Sequence, residues 1–431
     1  MNKKTNISPW LWVPTLYFAE GLPYFIVNNI SVTMFTRLGV PNGEMALFTS
    51  LLYLPWTLKP LWSPLVDIFK SKRWWIVIMQ ALVSAALIIL SLSLPRPEQG
   101  GQATMGLFTA TLILFLVAAL ASATHDIAAD GYYMLCLDSG DQAFFVGIRS
   151  TFYRLSSVFA QGALVYLAGV LELSTSSVPR AWGLTLLVSS LIFLGLTIYH
   201  SFVLPSEKPA ATKAPSVNKA GFLEVFVSFF KKKGVWLALA FMLLYRLPEA
   251  FLLKMVNPFL LDPASKGGLA MGTSQLGLVY GTIGVIALTV GGILGGIYAS
   301  RKGLKRSLLP MSLLLTLPCA CYVFMAAFPP SSLWLISALI AFEQFGYGFG
   351  FTAYMLYMMY FSQGEYKTSH YALCTAFMAL SMMLPGMFAG YIQQGLNYFL
   401  FFVFVMLCCL PALAVTLLVR RAVDDEYGIK L

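Results

Sequence analysis

The sequence predicts an all-α integral membrane protein of about twelve transmembrane helices arranged as two six-helix bundles. Three observations predict it. Hydrophobic residues make up 58% of the 431 and charged residues 11%, whereas soluble domains hold roughly a quarter charged residues and about half apolar ones. Apolar runs of roughly 20 residues, the length that crosses a bilayer, recur along the whole chain. Lys and Arg gather in alternate connections between those runs, as the positive-inside bias requires.

The first run, 10–35, follows Lys3 and Lys4 with no small-residue cleavage site, so it reads as a retained span rather than a signal peptide. Gly21-Leu-Pro23 is expected to break it. The second, 44–66, is punctuated by Pro55, Pro60 and Pro64 and ends in a basic turn, Asp67 to Arg73. Runs at 74–94, 104–136, 143–170 and 181–204 complete the first bundle, the fourth and fifth joined by the turn Asp138-Ser-Gly-Asp141. The longest connection is 205–233. It opens as a Pro/Ala/Ser linker, and Gly221 to Lys233 is expected to lie as a helix in the membrane interface, its three terminal lysines at the headgroups. The second bundle follows with runs at 234–260, 274–299, 307–328, 333–361, 370–395 and 398–419. After its second span comes another basic turn, Arg301 to Arg306, matching the one in the first half. The predicted organisation is an N-terminal bundle (1–204), a cytoplasmic linker (205–233), and a C-terminal bundle with a short cytoplasmic tail (234–431).

With the N-terminus in the cytoplasm, the inner segments hold 19 Lys and Arg and the outer loops four, with five more inside spans. Both termini are therefore expected to be cytoplasmic. The same placement accounts for the net charge of +10 without nucleic acid. The six cysteines sit in or beside apolar runs with no ligand spacing, which points to packing rather than metal or disulfides. No nucleophile elbow, phosphate loop or sizeable soluble segment appears, so neither an enzyme nor any catalytic residue is expected.

Each ionisable group in the bilayer core costs roughly 2.5–3.5 kcal/mol on insertion scales, so those present call for a role. The acids are Glu20 in span 1, Asp126 and Asp130 in span 4, Glu249 in span 7 and Glu343 in span 10. Paired six-span halves around a midplane site describe a major-facilitator transporter, in which those four spans line the cavity. Asp130 and Arg149 lie at equal distances from the turn between spans 4 and 5. Asp126 and Arg154 lie at nearly equal distances, so both pairs are expected to meet. They either cement the hairpin or break on proton binding. His125 titrates near neutral pH and could join a relay, or simply satisfy a neighbour. Asn28 and Asn29 can hydrogen-bond a polar solute. Lys59 and Lys254 are cations for an anionic one, unless Lys59 snorkels. Arg246 and Glu249, three apart around Pro248, can touch. Gln344 and Tyr347 join Glu343 on span 10 and suit a sugar ring, although tyrosines singly are more often packing.

Several strings resemble the AmpG-type permeases. They are Gly21-Leu-Pro23, Leu54-Pro-x3-Lys59-x2-Trp-x-Pro-x2-Asp67, Asp126-Ile-x2-Asp130, Tyr153-Arg154, Tyr245-Arg-x2-Glu249 and Phe342-Glu343. That resemblance covers nearly the whole chain and extends, more distantly, to acetyl-CoA transporters. It implies a multi-pass protein of the bacterial inner membrane that imports anhydromuropeptides, or related small amino-sugar saccharides, for peptidoglycan recycling. It implies a symporter driven by the proton gradient with no bound cofactor, whose partners are substrate, protons and membrane lipid, acting as a monomer. Lys59, Asp126, Asp130, Arg154, Arg246, Glu249 and Glu343 fall on the family's polar positions. Arg246 and Glu249 replace a Lys and an Asp of well-known members. Glu20 and His125 replace an uncharged residue and a Gln, and Lys254 has no counterpart. These departures leave open other cargo, such as an acyl-nucleotide, or a membrane sensor without transport. For the coupling proton, Glu249 and Asp126 are the first candidates and Glu20 the third.

Overall fold

A computed structural model describes residues 7–94, 105–137, 139–205, 219–364, 367–424 and 427. The linker expected at 206–218, and Asp138 in the turn between spans 4 and 5, lie outside the described residues. Those described form helices and turns only, and twelve helical segments coincide with the twelve apolar runs.

Half of the twelve spans carry an irregular turn, and most of these turns follow from proline or glycine. Span 1 runs as Pro9–Phe25, a π-helical turn Ile26–Ile30, and Ser31–Arg37. The helix does not break at Pro23, as the sequence suggested. Pro23 lacks an N–H, and the register is recovered one turn later by the wider turn that carries Asn28 and Asn29. Span 2 is the most divided: Asn42–Leu51, Leu54–Leu58, a 3-10 turn Lys59–Leu61, then Ser63–Ile68. Its prolines remove successive ladder donors, and Lys59 sits at the resulting tight turn.

Spans 3, 4 and 6 are single helices, Lys72–Leu92, Met105–Cys136 and Val178–Val203. Span 5 joins Ser139–Val158 to Val165–Thr175 through a π turn. A helix, Lys219–Phe230, precedes span 7. Span 7 is Val235–Leu244 and Leu247–Leu261, interrupted at Tyr245–Arg246, with Pro248 in the first turn of the second piece, where its missing N–H costs nothing. Spans 8 and 9 contain a π turn (Gly277–Gly284) and a 3-10 turn (Leu317–Cys319). Span 10 is Leu333–Phe361. Spans 11 and 12 share the helical stretch Lys367–Ala422 and part at Asn397, whose φ of 65° is left-handed. The Asn397 Oδ1 accepts from Leu400 N at 3.1 Å, capping the start of span 12.

The chain forms two compact units: Met1–Val40 with Leu54–Pro215, and Pro41–Tyr53 with Ser216–Leu431. The first half of span 2 thus packs in the second unit, where Asn42 Nδ2 donates to Gln393 Oε1 at 2.8 Å and to Tyr398 Oη at 3.1 Å. The first unit is built on Trp12, Leu16, Tyr17, Tyr132 and Tyr133; the second on Phe241, Tyr245, Met311, Tyr354 and Tyr357. In the second, Tyr354 Oη donates to the Met242 carbonyl at 2.7 Å, in the last turn before the span 7 interruption. Large apolar side chains such as Leu173, Phe202, Trp236 and Trp334 point outward, as lipid-facing residues do.

Candidate functional site

In the first unit, five sequence-selected residues converge. Asp126 and Asp130 are one turn apart on span 4 and share a face. Glu20 comes from span 1, Lys59 from the 3-10 turn of span 2 and Arg149 from span 5. Arg149 Nη2 meets Asp130 Oδ1 at 3.0 Å, the pairing expected from their equal depth. Tyr17 Oη donates to the same oxygen at 3.1 Å, and the guanidinium lies over the Tyr17 ring at 4.4 Å and the Tyr133 ring at 5.2 Å. Asp126 does not take Arg154 as expected; it pairs with Lys59. Counting residues from the turn fixes depth along two helices but not which way a side chain swings, and span 2 brings a closer cation. Arg154 is half-buried on span 5. Glu20 is only 8% exposed and stands within hydrogen-bonding reach of Asp126.

His125 joins a different group. Its Nε2 lies 2.9 Å from Gln80 Nε2, the Gln80 Oε1 lies 3.0 Å from His200 Nδ1, and His200 Nε2 lies 3.0 Å from Thr15 Oγ1. An amide N–H facing Nε2 makes that nitrogen an acceptor, so His125 is neutral here. This chain ties spans 1, 3, 4 and 6 together. Asn28 Nδ2 donates to its own helix at Tyr24 O (3.1 Å), and Asn29 is half-buried.

In the second unit, Arg246 grips Glu249 with two bonds, Nε to Oε2 at 2.9 Å and Nη2 to Oε1 at 2.7 Å. The helix interruption makes this possible, because it turns residue 246 to the head of the helix that carries residue 249. Tyr347 Oη accepts from Arg246 Nη2 at 2.9 Å, and the Phe351 ring faces the guanidinium at 4.7 Å. Glu343 and Gln344 form a separate group: Glu343 Oε2 accepts from Tyr322 Oη (3.2 Å) and Gln344 Nε2 (2.9 Å). Lys254 is buried, donates to Thr49 Oγ1 at 3.1 Å and lies over the Tyr53 ring at 5.1 Å. Both partners lie in or beside the half of span 2 that packs in this unit.

Sequence reasoning did not select Tyr17, Gln80, His200 or Tyr322. Gln80 and His200 carried a usable signal, since each is a polar residue inside an otherwise apolar run. The two tyrosines carried none, because a membrane chain is rich in tyrosines that only pack.

The sequence profile of the Major Facilitator Superfamily matches residues 15–384. The anhydromuropeptide permease of Escherichia coli K12 is 24% identical over 417 residues, covering 95% of this chain and 79% of that one. A putative transporter, AmpG 4, of Rickettsia conorii is 24% identical over 422 residues, covering 95% and 96%. Among solved structures, a bacterial homologue of the human lysosomal transporter Spinster, inward-facing and unoccupied, superposes with a TM-score of 0.74 at 15% identity, covering 97% of this chain and 98% of that one.

Proposed function

The chain belongs to the Major Facilitator Superfamily of membrane transporters, and from that premise we propose that it is a proton-coupled symporter importing anhydromuropeptides or related small amino-sugar saccharides across the bacterial inner membrane, with both termini in the cytoplasm. The observation that carries this reading is the cluster of Glu20, Lys59, Asp126, Asp130 and Arg149, in which Glu20 is buried and the other four are half-buried. Spans 1, 2, 4 and 5 each contribute to it, and ionisable groups so placed in a bilayer mark a solute or proton path. The cargo class is supported by the permease relative, which aligns with 95% of the chain. It is also supported by the chemistry of the second unit. A muropeptide offers carboxylates and sugar hydroxyls. Arg246 and Lys254 suit the former, and Tyr347 and Gln344 the latter.

The test is uptake of a labelled anhydromuropeptide into proteoliposomes, with and without an inward proton gradient. Accumulation that needs the gradient supports the reading. Equilibration without accumulation would make the protein a uniporter. No entry, with competition by an acyl-nucleotide instead, would replace the cargo.

A further inference from the structure

Three carboxyls meet in the first unit, and two cations hold two of them. Lys59 pairs with Asp126 and Arg149 with Asp130. Glu20 has no ion pair among the described residues. It is 8% exposed, no N–H or O–H reaches its Oε2, and the group within hydrogen-bonding reach is the Asp126 carboxyl. Its surroundings come from four elements: Tyr17 on its own helix, Asp126 and Asp130 on span 4, Arg149 on span 5 and Lys59 on span 2. His125, next to Asp126, is turned to Gln80 as a neutral ring.

Two adjoining carboxyls cannot both ionise away from water without strong repulsion, and a buried carboxylate with no ion pair and one oxygen lacking a donor is costlier still. One proton between them removes both penalties and turns the contact into a short O–H···O⁻ bond. We propose that Glu20 and Asp126 share a single proton, and that this pair is the site at which the transporter loads and releases the proton it couples to cargo. The proposal rests on the symport reading above.

The chemistry is one O–H bond made from water on the outer side and broken to water on the inner side. While the proton is present, Asp126 keeps its charge and its hold on Lys59. Once it leaves, Glu20 becomes a second anion beside Asp126. The two repel, and Glu20 competes for the Lys59 ammonium, so spans 1, 2 and 4 shift relative to one another.

Infrared difference spectra of the purified protein on a pH jump test the pair without any cargo. The wild type should lose a protonated-carboxyl C=O band as pH rises. Glu20→Gln should lack that component. Asp126→Asn should lack it too, because the amide donates to Glu20 and Lys59 is released to hold it ionised. Asp130→Asn should retain it. Spectra of Glu20→Gln and Asp126→Asn that superimpose on the wild type would overturn the proposal. In proteoliposomes, Glu20→Gln should lose most gradient-driven accumulation of labelled anhydromuropeptide and keep exchange at zero gradient. Full accumulation by this variant would also overturn it. If the wild type shows no response to the gradient, the symport reading fails, and the spectra still decide whether the proton is shared.

Discussion

At the scale of single residues, the ion pairs differ in what they do for the fold. Arg246 and Glu249 are both buried, joined by two bonds, and braced by Tyr347 and Phe351. Removing one member leaves a charge stranded, at a cost of roughly 3–5 kcal/mol. Arg246→Ala and Glu249→Ala should each lower the thermal midpoint of the detergent-solubilised protein sharply. The double variant should lose clearly less than the two singles combined. Strictly additive losses would mean that the pair is not coupled. Arg37 and Glu172 contrast with this pair. They also meet, at 2.9 Å, but Arg37 is partly exposed, so Arg37→Gln should change the midpoint little. The acids were legible as residue types at fixed depths, since a charge in an apolar run stands out. Their partners were not, because Asp126 could swing toward span 5 or span 2 and only packing chose Lys59.

At the scale of elements, close helix approach depends on missing side chains. A Cβ on Gly348 of span 10 would collide with the span 8 backbone, lying 3.0 Å from Gly292 N, and one on Gly295 would lie 2.7 Å from Phe349 O. Gly296, one position along, has open space around it. Gly348→Leu should therefore abolish a monodisperse elution profile, whereas Gly296→Ala should elute and melt like the wild type. Similar behaviour of the two variants would show that spans 8 and 10 can separate without loss. The joint between spans 11 and 12 tests a second device. Asn397→Ala gives up the cap and strains a left-handed backbone, which should cost about 1–2 kcal/mol. Asn397→Gly keeps the backbone relaxed and should cost less. Equal melting temperatures for the two would remove the conformational argument. The apolar runs revealed where these helices lie, and Pro23 marked a disturbance in span 1, but nothing in the sequence distinguished a π turn from a break there or in spans 5 and 8.

At the scale of the whole molecule, direction in the membrane follows from charge. Nineteen Lys and Arg in one set of connections against four in the other should place both the C-terminus and the 206–218 segment in the cytoplasm. Reporter fusions at the two positions should both show cytoplasmic activity. A periplasmic signal from either would overturn the orientation. What the sequence determined by itself was the solvent, the span count and the position of each charge along its span. These depend on composition and on position along a rod of fixed rise, which any apolar helix shares. Only the tertiary structure decided the division of span 2 between two compact units, the transfer of Lys59 to Asp126, the withdrawal of His125 to Gln80 and the meeting of Glu20 with Asp126. Each of those depends on the rotation of one helix against another. That rotation is set by which small residues and prolines let backbones approach, and it joins side chains that lie tens to more than a hundred positions apart.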